Sequence, residues 1–117
     1  MTDTLNVLAA LLTIGLGLFG FLAPRYTAVV LDLAPTGSNM GLSELRASVG
    51  GLFVLIGLGA LWLGQPTAFL MLGFAYAGAA AGRLLSLFLD APPRRKVMLF
   101  GGIEAVLALW LIAANLG

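Results

Sequence analysis

The sequence predicts an all-α integral membrane protein, a bundle of four transmembrane helices joined by short loops. Of the 117 residues, 61% are hydrophobic and only 9% are charged, whereas a typical soluble domain carries about 25% charged residues. Four apolar stretches also reach the roughly 20 residues that a helix needs to cross the hydrocarbon core of a bilayer. We therefore expect a single transmembrane domain over residues 1–117, with lipid as its main solvent.

Proline residues mark the ends of the predicted helices. Pro24 closes the first apolar stretch, Pro66 begins the third, and Pro92 prevents the third from continuing. Proline lacks a backbone N–H and its ring clashes with the preceding helical turn, so it is placed at helix ends. The helices are accordingly predicted at about residues 5–22, 43–64, 67–90 and 95–116.

The one long connection covers residues 23–42. Its first half is apolar but too short to span a bilayer, so we predict that it lies in the membrane interface or re-enters the membrane. Ser43 is the predicted N-cap of the second helix, because its hydroxyl can accept a hydrogen bond from an unpaired N–H of the first turn.

The basic residues predict the orientation of the chain. All six lie towards the side that holds the first and third connections: Arg25, Arg46, Arg83, Arg94, Arg95 and Lys96. Lys and Arg near helix ends favour the cytoplasmic side. We therefore expect both termini on the outer side of a multi-pass protein of the bacterial inner (plasma) membrane.

Two charged residues lie deep inside predicted helices. Arg83 is seven residues before Asp90, about 10 Å inside the third helix, and Glu104 is eight residues after Lys96, about 12 Å inside the fourth. A charge at the centre of a membrane helix costs about 2.5–3.5 kcal/mol, so it is rarely kept without a partner. Because a short proline turn makes these helices antiparallel neighbours, Arg83 and Glu104 are predicted to form an intramembrane ion pair.

Other polar residues share helix faces with this pair or lie near its end of the bundle. Ser86 and Asp90 follow Arg83 at i+3 and i+7, so all three lie on one helix face. On the second helix Glu44 and Arg46 are roughly 200° apart, so only one of them can face inward. We expect Arg46 to be that residue, and Glu44 to cap the helix or face the first loop. A purely structural role, in which these charges lock the bundle, remains the alternative.

Composition excludes several kinds of chemistry. There is no Cys and no His, which removes disulfides, thiolate nucleophiles and the usual zinc and haem ligands. We predict no catalytic residues, no metal and no cofactor, and the neighbouring arginines would neutralise carboxylates that a metal needs. A net charge of +1 gives no field that would attract nucleic acid.

A set of these residues resembles a known family. Glu44-Leu45-Arg46 is followed by Gly50-Gly51, and then come Gly82-Arg83, Ser86, Asp90, Pro92 and Glu104. This pattern, over about residues 44–104, resembles a family of small bacterial four-helix membrane proteins grouped as domain of unknown function 4345. The resemblance implies the same fold and site residues, but no activity. The family usually has Gly after this Asp, whereas Ala91 stands here.

The sequence leaves three functions open. We favour a binding or accessory protein whose Arg/Glu/Asp site opens towards the cytoplasm and takes a lipid-like or small anionic ligand. Its expected partners are the bilayer itself and, as alternatives, a second copy or a larger membrane complex. Gly78 and Gly82 permit close helix approach, which we interpret first as packing within the bundle, with a homodimer face as the alternative. The alternative is a small oligomeric carrier or channel for an anion or a proton-coupled solute. A membrane enzyme acting on an apolar substrate is favoured least.

Overall fold

The computed structural model describes residues 2–117, and every regular element in that part of the protein is a helix. No β-strand occurs among those residues. The helices are α1 (Thr2–Leu22), α2 (Pro24–Val30), α3 (Met40–Arg46), α4 (Leu52–Leu63), α5 (Pro66–Leu89) and α6 (Arg94–Asn115), and a π-helical segment, Ala47–Gly51, joins α3 to α4.

Four stretches are long and apolar enough to cross a membrane: Asp3–Leu22, Met40–Leu63, Pro66–Leu89 and Arg94–Asn115. The second consists of α3, the π-helical segment and α4 in one continuous helix. Large apolar side chains on these stretches are open to the surroundings, as Trp62 (86% exposed) and Phe88 (79%) illustrate. The prediction of an all-α chain with four such helices is confirmed, and the exposed apolar surface is what a lipid solvent requires.

The first connection contains a short helix that the sequence analysis did not predict. Pro24 occupies the first position of α2, where a missing N–H costs nothing. The helix ends in a Schellman motif, in which the N–H of Leu33 bonds to the carbonyl of Ala28 and that of Asp32 to Val29. Asp32 has a φ of 58°, the left-handed conformation of this motif.

The predicted N-cap at Ser43 is wrong. The helix begins three residues earlier, at Met40, with Asn39 at the N-cap position. The backbone N–H of Ser43 already bonds to the carbonyl of Asn39, so Ser43 lies inside the first turn. At the true start, the hydroxyl of Ser38 accepts a hydrogen bond from the N–H of Met40.

The chain divides into two compact units, residues 3–62 and 63–117. In the first unit α1 packs closely against the π-helical segment and α4. A Cβ atom on Gly50 would lie 2.6 Å from the backbone nitrogen of Phe21, and one on Gly17 would lie 2.7 Å from the Cβ of Phe53. Only glycine allows helix backbones to approach this closely.

The second unit is the antiparallel pair of α5 and α6. A Cβ on Gly73 would lie 2.9 Å from the Cβ of Leu111, and one on Gly101 would lie 3.5 Å from the Cβ of Arg83. These two contacts are ten residues apart on each helix, which fixes the register of the pair. In the turn between the helices, Ala91 has a φ of 47°, a conformation that normally belongs to glycine.

Candidate functional site, an ion pair beside an apolar groove

The structure brings Arg83 and Glu104 together. Nε of Arg83 lies 2.9 Å from Oε1 of Glu104, and Nη2 donates a second hydrogen bond of 3.3 Å to Oε2. Two parallel bonds between a guanidinium and a carboxylate are the strongest geometry for such a pair. The side chains are 34% and 16% exposed, respectively, so the pair is partly screened from its surroundings and leaves the site with no net charge.

The register of the two helices makes room for the arginine. Gly101 lies opposite Arg83 on α6 and has no side chain, so the stem of Arg83 can cross the face of that helix. The guanidinium then lies 5.4 Å from the ring centroid of Phe100, within range of a cation–π interaction. Glu104, one turn further along α6, meets the end of the side chain.

A groove runs along α5 and α6 beside this pair. Its volume is about 530 Å³, which falls within the range of small-molecule sites in proteins. Most of its lining is alanine, glycine and leucine, and Arg83 is the only charged residue in that lining: Ala77, Ala80, Ala81, Arg83, Leu84, Leu87, Val97, Met98, Gly101, Gly102, Ala105, Ala108 and Leu109. Small residues on both helices create the empty volume of the groove, and Arg83 supplies its polar group.

The other predicted residues of this unit lie nearer the turn. Ser86 is half-buried and its carbonyl accepts the N–H of Asp90, which closes the last turn of α5. Asp90 itself is exposed. Neither residue lines the groove, so its only charged contact comes from Arg83.

Arg46 and Glu44 belong to the other unit. Nη1 of Arg46 donates a 2.7 Å hydrogen bond to the carbonyl of Phe21, one of the last carbonyls of α1, where a cation is favourable. Gly50 and Phe53 also contact α1. Glu44 accepts a 3.0 Å hydrogen bond from the hydroxyl of Ser48.

The groove was missed by the sequence analysis, although its residues carried a signal. Alanine and glycine are dense on α5 and α6, and we read them as allowing close helix approach. Gly102 has no atom within 4 Å of a Cβ position, so here a small residue leaves open space instead. Within residues 2–117, no group of three or more acidic residues could hold a metal ion.

Four long apolar helices with a partly buried Arg–Glu pair define a small helical membrane protein. The chain belongs to the family described as Domain of unknown function (DUF4345), whose profile matches residues 1–115. The resemblance stated for residues 44–104 is thereby confirmed and extends over α1 as well. Searches of the curated proteins and of the solved structures found no match.

Proposed function

We propose that this chain is a small polytopic protein of the bacterial inner membrane that binds an amphipathic ligand, or a membrane partner, at the Arg83–Glu104 pair. Its four spans pack as one bundle, both termini lie outside, and the site opens towards the cytoplasmic side. The basic residues beside the first and third connections support this orientation.

One observation carries the proposal: Arg83 is paired, yet it still lines an open groove. Glu104 takes one N–H from Nε and one from Nη2, and an arginine has five. Three donors therefore remain on a side chain that is about one-third exposed. In hydrocarbon, unpaired donors cost several kcal/mol each, so a ligand or partner with oxygen acceptors would be stabilised there.

The same features favour binding over transport and over a purely structural lock. A transport path needs several polar groups in series, whereas the groove lining has one charged residue. A purely structural ion pair needs only the Arg83–Glu104 contact, and large side chains packed around it would exclude other molecules. Here alanine and glycine leave an open groove beside the pair.

The test is native mass spectrometry of the protein extracted gently from its own membranes. Wild type is compared with Arg83→Ala and with Arg25→Ala, an exposed arginine of the first connection that serves as the matched control. We expect a bound molecule or partner chain that is present in wild type and Arg25→Ala and is lost in Arg83→Ala. Loss in both variants, or a bare monomer throughout, would rule out binding at this pair.

A further inference from the structure

We infer that the α5–α6 groove is the binding site of one anionic phospholipid. Its phosphate lies at the basic turn between the helices, its ester oxygens accept hydrogen bonds from Arg83, and one acyl chain follows the groove. This inference rests on the proposed binding function and names its ligand class.

The polar groups of the groove lie in the order of the parts of a phospholipid. The first turn of α6 carries three consecutive basic residues, Arg94 to Lys96, and the end of α5 beside it carries one acidic residue, Asp90. Arg94 and Arg95 are exposed. Basic residues immediately outside a membrane span attract anionic headgroups. The first part of the lipid that meets this end of the unit is therefore its phosphate.

Arg83 is the polar group that follows further along the groove. It lies about 6 Å along the helix from Leu87, which lines the groove nearest the turn on α5, and about 10 Å from Asp90 at the turn itself. Its three remaining N–H groups need oxygen acceptors, and hydrocarbon tails have none. The glycerol ester carbonyls lie just below the phosphate and can supply them.

The rest of the groove matches the upper part of an acyl chain in polarity. Beyond Arg83 it extends six residues along α5, to Ala77, or about 9 Å. This is more than half of the depth of a single leaflet, which is half of the roughly 30 Å hydrocarbon core. Beyond Arg83 the lining is entirely apolar, as a hydrocarbon tail requires.

A second copy of the chain fits this groove less well. The exposed faces of the spans are dominated by Leu, Phe, Met and Val, and such side chains would leave the donors of Arg83 without acceptors. A lipid supplies oxygen atoms at one end and hydrocarbon at the other. Charge and polarity therefore favour the lipid.

Gly102 and Gly78 provide a matched pair of variants. Both are exposed helical glycines with no atom within 4 Å of a Cβ position, but only Gly102 lines the groove. Gly102→Leu should therefore place its side chain in the groove from an unobstructed Cβ, whereas Gly78→Leu adds the same side chain elsewhere in the same unit. Both variants should give the circular dichroism spectrum of the wild type, which shows that they fold.

The experiment reconstitutes the purified protein in nanodiscs of phosphatidylglycerol and phosphatidylcholine, and measures retained lipid by native mass spectrometry. We expect one phosphatidylglycerol bound to wild type and to Gly78→Leu, preferred over phosphatidylcholine by about tenfold, and lost from Gly102→Leu. The double variant Arg94→Gln, Arg95→Gln should keep the groove but lower the preference to about twofold, because one of the three basic residues remains.

Equal retention in Gly102→Leu and Gly78→Leu, no preference for the anionic lipid, or a dimer that excludes lipid from the groove would each overturn the inference. The proposed function fails differently. If material from native membranes holds another molecule that depends on Arg83, binding at the pair stands and the lipid assignment falls.

Discussion

Arg83 donates from Nε and Nη2 to the two carboxylate oxygens of Glu104, at 2.9 and 3.3 Å, across the α5–α6 pair. The contact joins residues 21 positions apart in sequence and lies one turn beyond the point where Gly101 crosses Arg83. It joins the two helices at the depth of the one charged residue in the groove lining, Arg83.

Removing one member of this pair should cost more than removing both. We expect Glu104→Ala to lower the free energy of unfolding by about 2.5–3.5 kcal/mol, because Arg83 is left charged and unpaired in an apolar setting. The double variant with Arg83→Ala should recover part of that loss, giving a coupling energy of about 1 kcal/mol or more. Reversible unfolding in mixed micelles of all four proteins measures it. Additive single effects would mean that the contact contributes nothing.

The close approach of α1 to the π-helical segment should make Gly50 intolerant of any side chain. Gly50→Ala places a methyl group 2.6 Å from the backbone nitrogen of Phe21, and backbone cannot rotate away. We expect a loss of about 1–3 kcal/mol, measured by unfolding in micelles. Gly15→Ala is the control, since no atom lies within 4 Å of its Cβ position. Equal effects of both substitutions would contradict the packing described for this unit.

The α5–α6 turn should become more stable when glycine replaces Ala91. A left-handed conformation costs an L-residue about 1–2 kcal/mol, and Ala91 adopts one with a φ of 47°. Part of the gain is offset by the greater freedom of glycine in the unfolded chain, so we expect about 0.5–1 kcal/mol and a higher Tm. Ala75→Gly, inside α5, should lower the Tm instead. A lower Tm for Ala91→Gly would contradict the turn geometry.

The absence of cysteine makes the orientation directly measurable. Gln65 directly precedes α5 and Arg95 lies in the first turn of α6, beyond the other end of α5, and both are exposed. Gln65→Cys and Arg95→Cys therefore each introduce a single accessible thiol. A membrane-impermeant maleimide should label Gln65→Cys in intact spheroplasts, and Arg95→Cys only after lysis, because basic turns stay in the cytoplasm. The opposite labelling pattern would reverse the proposed topology.

Helix positions could be predicted because hydropathy and proline act locally. The four apolar stretches and the prolines at residues 24, 66 and 92 gave helix ends within a few residues of those observed. The short helix α2 was missed, although Pro24 at its first position is itself a helix-start signal. The start of the helix at Met40 was missed because Ser43 is a residue type that favours the N-cap position, although it lies inside the first turn.

The pairing of Arg83 with Glu104 could be predicted from the depth of each residue in its helix, but the groove could not be predicted from the sequence. Counting 1.5 Å per residue from a shared turn places Arg83 and Glu104 at similar depths. A groove depends instead on which small residues face each other and which face outward, and that follows from the exact helix register. The space beside Gly73 is occupied by Leu111 and Ile112, whereas the space beside Gly102 is empty. Composition alone does not predict this difference. The π-helical segment has no sequence signature of its own either.

For a groove on the side of two membrane helices, the relevant ligand concentration is the concentration within the bilayer. Its occupant arrives by diffusing within the leaflet, so occupancy follows the mole fraction of that lipid among its neighbours and not an amount dissolved in water. Doubling the amount of membrane would leave the occupancy of the groove unchanged, whereas replacing one lipid species by another would lower or raise it. A protein built this way responds to the composition of the bilayer.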